Sequence, residues 1–147
     1  MNKTLRTLPA IIAAAGLLAL GGCATQPQNA NVKAAYHVNG DLDTASAALR
    51  NIRNHLEADP KAKIAVVTHS KGIDFLLEGA KDKNGNVFAN MVDDLALRGV
   101  EFKVCNNTLT SRKIDKSKVI SAAVIVPSGV SEIARLQAQD GYVYVKP

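Results

Sequence analysis

The sequence predicts an α/β domain: three layers, α/β/α, around a mostly parallel five-stranded sheet. Three observations predict it. Short apolar, β-branched runs alternate along the chain with stretches of helical periodicity; strands that alternate with helices pair in parallel through crossovers. The run Ile64–Val67 is apolar without a break, as a strand covered on both faces requires. Gly, Asn and Ser collect where the apolar runs end, the composition of loops that carry function at one end of a sheet.

The elements follow in order. Val32–Val38 is the first strand, closed by Asn39-Gly40. Asp43 is placed to cap a helix in which Leu42, Ala45, Leu49, Ile52 and Leu56 recur at helical spacing, up to Asp59-Pro60. Ala62–Thr68 is the second strand. His69-Ser70-Lys71-Gly72 then turns into a helix expected from Ile73 to Ala80, and the polar stretch Lys81–Asn86 is a surface loop. Val87–Arg98 reads as a helix with Gly99 as its stop. Val100–Cys105 is the third strand, and the polar stretch Asn106–Lys118 has room for one helical turn. Ala122–Val126 is the fourth strand, ended by Pro127. Ser128-Gly129 opens a last helix to about Gln139, and Tyr142–Lys146 is the final strand.

The first 22 residues stand apart. Lys3 and Arg6 precede an apolar run from Leu8 to Leu20, and small residues lead to Cys23. A charged start, a short apolar core and small residues before a cut describe a secretory signal. The run is shorter than the roughly 20 residues of a spanning helix. Leu20-Gly21-Gly22-Cys23 resembles the lipobox of bacterial lipoproteins, in which the Cys becomes an acylated N-terminus. The plainer alternative is an ordinary signal with a Cys by chance. The resemblance divides the chain into a signal (1–22), a lipidated Cys23 with a tether (23–31) and one domain (32–147). The residue after Cys23 is Ala24 rather than Asp, which by the sorting preference of such lipoproteins implies the outer membrane, facing the periplasm. Membrane attachment is then through the lipid on Cys23. Ala24–Asn31 is polar and aperiodic, a flexible tether.

Composition narrows the function. Net charge is +5 over 147 residues; without Lys3 and Arg6, 16 basic and 13 acidic residues leave +3. Aromatics are 4% and Trp is absent, so nothing points to base stacking or a nucleic-acid partner. No Gly-x-Gly-x-x-Gly, Gly-Lys-Ser/Thr or Gly-x-Ser-x-Gly motif occurs. His37 and His55 share no ligand spacing with each other or with Cys105, so neither a metal nor a cofactor is expected.

Ligands of open parallel sheets bind outside the carboxyl ends of the strands. The strand ends bring His37, Asn39 and Asp41; His69, Ser70, Lys71 and Gly72; Cys105, Asn106 and Asn107; and Pro127, Ser128 and Gly129. Cys105 stands out. With Cys23 acylated it is the sole thiol, in a compartment that oxidises thiols. Two readings stay open: a thiolate stabilised by backbone N–H groups at a helix start, or a small apolar residue completing the core. His69 either takes a proton near Cys105 or serves as a structural hydrogen-bonder. Lys71-Gly72 before a helix can hold an anion on N–H groups. The basic run from Arg112 to Lys118 reads as a solvated loop, with contact to an oxyanion or a phospholipid as the alternative.

Several blocks together resemble the DsrE/DsrF-like family: Val66-Val67-Thr68-His69 with Gly72–Leu77, Leu97–Leu109, Val126-Pro127-Ser128-Gly129-Val130, and the closing Gly141–Pro147. The resemblance implies a parallel α/β/α fold and a homo-oligomer, trimer or hexamer. Sulfur-relay members carry a persulfide-holding Cys at the end of the strand where Cys105 stands here. Two functions are therefore carried forward. One is a persulfide or thiol-redox carrier acting through Cys105, with a sulfur donor or acceptor protein as partner. The other is a non-catalytic module on the envelope, binding a small ligand or a protein through His69, Gly72, Asn106, Asn107 and Ser128.

Overall fold

The computed structural model describes residues 31–147. The expected signal and Cys23 lie outside the described residues. The elements run β1 (Lys33–Val38), α1 (Leu42–Ala58), β2 (Lys63–Thr68), a 3-10 helix (Ser70–Leu76), α2 (Phe88–Leu97), β3 (Glu101–Cys105), α3 (Asn106–Ser111), a short 3-10 turn (Lys116–Lys118), β4 (Ala123–Val126), α4 (Gly129–Asp140) and β5 (Val143–Val145). The sheet is wholly parallel, in the order β4-β3-β2-β1-β5. No helix among the described residues is long and apolar enough to cross a membrane.

Alternation along each strand sends side chains to two faces, and the two faces are built differently. On the first, Ala34, Tyr36, Val38, Ile64, Val66, Phe102 and Val104 meet α1, the 3-10 helix and α2 in the main core. The helical spacing read from the sequence is the reason α1 packs there: Ala45, Ala48, Leu49, Ile52 and Leu56 are all buried. Phe75 joins this core to α2 and β3, with ring centroids 5.8 Å from Phe88 and 6.4 Å from Phe102. Fully burying one such side chain stabilises by about 1.5–3 kcal/mol.

The second face carries one helix, α4, over Ala35, Ala65 and Val67 through Ile133 and Leu136. Two alanines in adjacent strands let it sit close to the sheet. The same face holds a charged network. Lys103 Nζ lies 3.1 Å from Glu101 and 3.2 Å from Glu132; Arg135 bridges Glu132 and Asp140. Toward β4 the face is open, and Val124 and Val130 are exposed.

Three local expectations are corrected. Asp41, not Asp43, caps α1: its carboxylate accepts the Thr44 N–H at 3.0 Å. The helix expected over Ile73–Ala80 is a 3-10 helix over Ser70–Leu76. Beyond it Leu77 is extended and bridges Val119, the Glu78 N–H goes to Lys118 O, and Gly79 sits at φ 78°. Those partners take the backbone groups that an α-helix would have used. The polar stretch after Cys105 holds α3 and a second short turn rather than one turn.

Candidate functional site

Cys105 ends β3 and is the N-cap of α3. It is a free cysteine, with the residue 4% exposed. In β4 it is paired with Val126, and Pro127-Ser128 turn the chain directly into α4. A Cβ built on Gly129 would lie 2.9 Å from Thr68 O and 3.3 Å from the Cβ atoms of both Cys105 and His69. Only a glycine lets the start of α4 settle this closely between the ends of β2 and β3. Burial pushes the Cys105 thiol up. The backbone N–H groups of Gly129, Thr108 and Asn107 and the Thr108 side chain, grouped about the sulfur, outweigh it and hold the thiol below its ordinary value. Donors aimed at a sulfur favour the thiolate, the nucleophilic form.

Thr108 stands three residues after the N-cap, where a side chain can reach back over the first turn. Its hydroxyl oxygen accepts the Ser70 N–H at 3.0 Å, which leaves its own hydrogen for the sulfur. Ser70 is held at φ 55°, a left-handed conformation costly for a residue with a Cβ. Thr108 and Arg112 secure it: Arg112 donates to Ser70 O at 3.1 Å and to Asp74 at 2.6 Å. Arg112, expected in a solvated loop, thus ties α3 to the 3-10 helix.

The second cluster lies on the same face. His37 Nε2 is 2.7 Å from His69 Nε2. The remaining ring nitrogens are also engaged, His37 Nδ1 with the Tyr144 hydroxyl at 2.8 Å and His69 Nδ1 with Ser70 Oγ at 2.9 Å. Register explains the meeting. His37 pairs with Val67 and Ala35 with Tyr144, so His37, Tyr144 and the residue two beyond Val67 share a face. Burial lowers both imidazoles; for His37 the neighbouring His69 and the Lys146 charge lower it further. Both shifts favour the neutral form of the ring.

The other residues singled out in the sequence take varied places. The Asn107 N–H is shared: it donates to Pro127 O at 3.3 Å and also acts on the sulfur. Asn106 Oδ1 is buried with no hydrogen-bond partner among the described residues. Ser128 caps α4, its Oγ accepting from Ser131 N–H at 3.4 Å. Gly72 is buried, and a Cβ there would meet Val38 O at 2.0 Å; its lack of a side chain admits the 3-10 helix against β1. Sequence reasoning missed Thr108 and Tyr144 and the pairing of His37 with His69. The surface hollow lined by Asp43, Arg50, Arg53, Asp82 and Lys83 contains none of these residues. Among the described residues no three His, Cys, Asp or Glu side chains gather to hold a metal.

Comparison with known proteins agrees with this architecture. A protein of unknown function, MTH1491 from Methanobacterium thermoautotrophicum, superposes with a TM-score of 0.71 at 26% identity, over 80% of this chain and 100% of that one. The YchN protein from E. coli superposes with a TM-score of 0.66 at 18% identity, over 79% of this chain and 99% of its own, a likeness of fold. No curated protein matches the chain. The pattern of the DsrE/DsrF-like family matches residues 28–147. With its wholly parallel five-stranded α/β sheet and a match over most of its length, the chain belongs to the DsrE/DsrF-like family.

Proposed function

We propose that the protein is a sulfur carrier of the cell envelope, held at the membrane by a lipid on Cys23 and working through Cys105 as a homo-oligomer. One observation carries the chemical part. Cys105 ends β3 as the N-cap of α3, with the start of α4 packed against it at Gly129, and the donors of these two helix starts and of Thr108 lower the thiol despite its burial.

The step is a sulfane-sulfur transfer. The Cys105 thiolate attacks the outer sulfur of a donor persulfide, R–S–SH. A new Cys105–sulfur bond forms, the donor's S–S bond breaks, and the donor leaves as its thiolate, R–S⁻. The proton stays on the transferred sulfur, and no outside oxidant is consumed. A second thiolate, from an acceptor protein, reverses the roles. A lone nucleophile without a resolving thiol suits transfer better than dithiol cycling. The membership in the DsrE/DsrF-like family supports the same reading.

The low exposure of Cys105 favours the second reading, a binding module in which this residue is packing. Intact-mass analysis of the mature protein after exposure to polysulfide separates the two. The carrier shows an acylated Cys23 N-terminus and a mass gain of one sulfur, absent in Cys105→Ser. A folded protein whose mass does not change would leave only the binding module. A chain still starting at Met1 would remove the lipid anchor.

A further inference from the structure

We propose that His37 and His69 form a binding site for a late first-row divalent metal ion, Cu²⁺ foremost, at the point where the strand order reverses. The inference is independent of any sulfur chemistry at Cys105.

The topology locates the site. From β1 the sheet grows through β2 and β3 to β4 on one side; β5 then returns to the other side of β1. The crossover helices change faces at the same point: α1 and α2 pack on the first face and α4 on the second. Open α/β sheets bind ligands at such a reversal, outside the carboxyl ends of the strands. His37 is the next-to-last residue of β1, His69 follows the last residue of β2, and Tyr144 lies in β5.

The ring geometry is that of two oriented ligands. Both Nε2 atoms face one point, 2.7 Å apart, and each Nδ1 is held by a hydroxyl, one from Tyr144 and one from Ser70. Metal-bound imidazoles are held in this way by a partner on the nitrogen that does not ligate. In the neutral pair one hydrogen must lie between the two Nε2 atoms, because two facing lone pairs would repel. One hydroxyl then donates to a ring Nδ1 and the other accepts. If that first hydroxyl rotates to accept, both rings carry their hydrogen on Nδ1 and present a lone pair on Nε2. The metal ion replaces the bridging hydrogen, and no net proton leaves the pair.

Cu²⁺ takes square-planar or tetragonal coordination; with imidazole nitrogens about 2.0 Å from the ion, two cis ligands lie roughly 2.8 Å apart, close to the 2.7 Å separation here. A small rotation of the two rings turns both Nε2 lone pairs from each other toward the ion. Imidazole suits Cu, Ni and Zn, and Cu²⁺ stands highest in the affinity order. With no third His, Cys, Asp or Glu converging among the described residues, the remaining coordination positions take water or an added ligand. The Lys146 charge near His37 disfavours positive charge there, so the added ligand is expected to be an anion that offsets it. His55 belongs to a different contact, with the Tyr36 hydroxyl at 3.0 Å, and serves as the control.

The test is titration of the full chain with Cu²⁺ alone, in a background carrying both Cys23→Ser and Cys105→Ser, which leaves no thiol to be oxidised. The expected result is one ion per chain, with electron paramagnetic resonance showing hyperfine coupling to two imidazole nitrogens. His37→Gln and His69→Gln each weaken binding roughly tenfold or more and remove one nitrogen coupling, Tyr144→Phe weakens it less, and His55→Gln leaves it unchanged. Circular dichroism of each variant verifies the fold. A folded parent without saturable binding overturns the proposal. So does one-per-chain binding whose two-nitrogen signal survives both His37→Gln and His69→Gln.

Discussion

The two faces of the sheet are made from the same five strands and do different work. The first is closed by α1, α2 and a 3-10 helix around three phenylalanines and a continuous aliphatic core. The second has one helix, two alanines beneath it, a buried-edge ion network, and the Cys105 and His37–His69 clusters at its rim. Apolar burial is non-directional and tolerant of exchange. The second face depends on particular hydrogen bonds and on charges, which fail when one partner is removed. Stability is concentrated on one side of the sheet, and the polar chemistry is left free on the other.

The sharpest way to break this contrast is to remove a large side chain from the closed face. Phe102→Ala is expected to cost about 3–5 kcal/mol in urea unfolding, through lost burial and a cavity against Phe75. A loss below about 1 kcal/mol would mean that the first face does not dominate stability.

On the second face, Glu132→Gln is the corresponding change. Hydrogen bonds from Arg135, together with Lys103, hold the Glu132 carboxyl at about 2, against an ordinary 4.5. A group whose folded value is depressed stabilises the fold above its unfolded value and loses that contribution as pH falls through the folded one. The substitution is expected to cost roughly 1–3 kcal/mol at neutral pH. The gap between variant and parent should close as pH falls from above 4.5 toward 2. A gap independent of pH would assign the effect to packing instead of charge.

The smallest effect on stability is at the rim. Thr108→Val removes one donor from the sulfur and one acceptor from Ser70, a loss of about 1 kcal/mol. Its consequence for the thiol is larger in proportion. The Cys105 value should rise, slowing alkylation at neutral pH roughly two- to tenfold. An unchanged rate in folded variant would take Thr108 out of the site.

How much of this was legible beforehand differs between the two faces in the same way. Periodicity located all five strands and α1, because Leu49, Ile52 and Leu56 recur at the spacing that burial demands. Cys105 was legible as a strand end followed by polar residues, and Thr108 could have been found three residues on, at the reach-back position of a helix start. The His37–His69 pair could not, since it exists only once β1 and β2 adopt their register. Gly72 read as a turn residue able to hold an anion; its close approach to the backbone of Val38, more than thirty positions back in the chain, was not legible. The α-helix expected after Gly72 failed because residues 118–120 supply its backbone partners from a distance. Local pattern carries apolar faces well, and carries long-range polar contacts poorly.

Most direct of all is the pH profile of Cys105 alkylation in the native chain, followed by mass at that residue. A reactive thiolate gives single-site labelling without denaturant and a midpoint below the ordinary thiol value of about 8.5. Labelling that begins only on unfolding, or a midpoint at or above that value, would contradict the carrier.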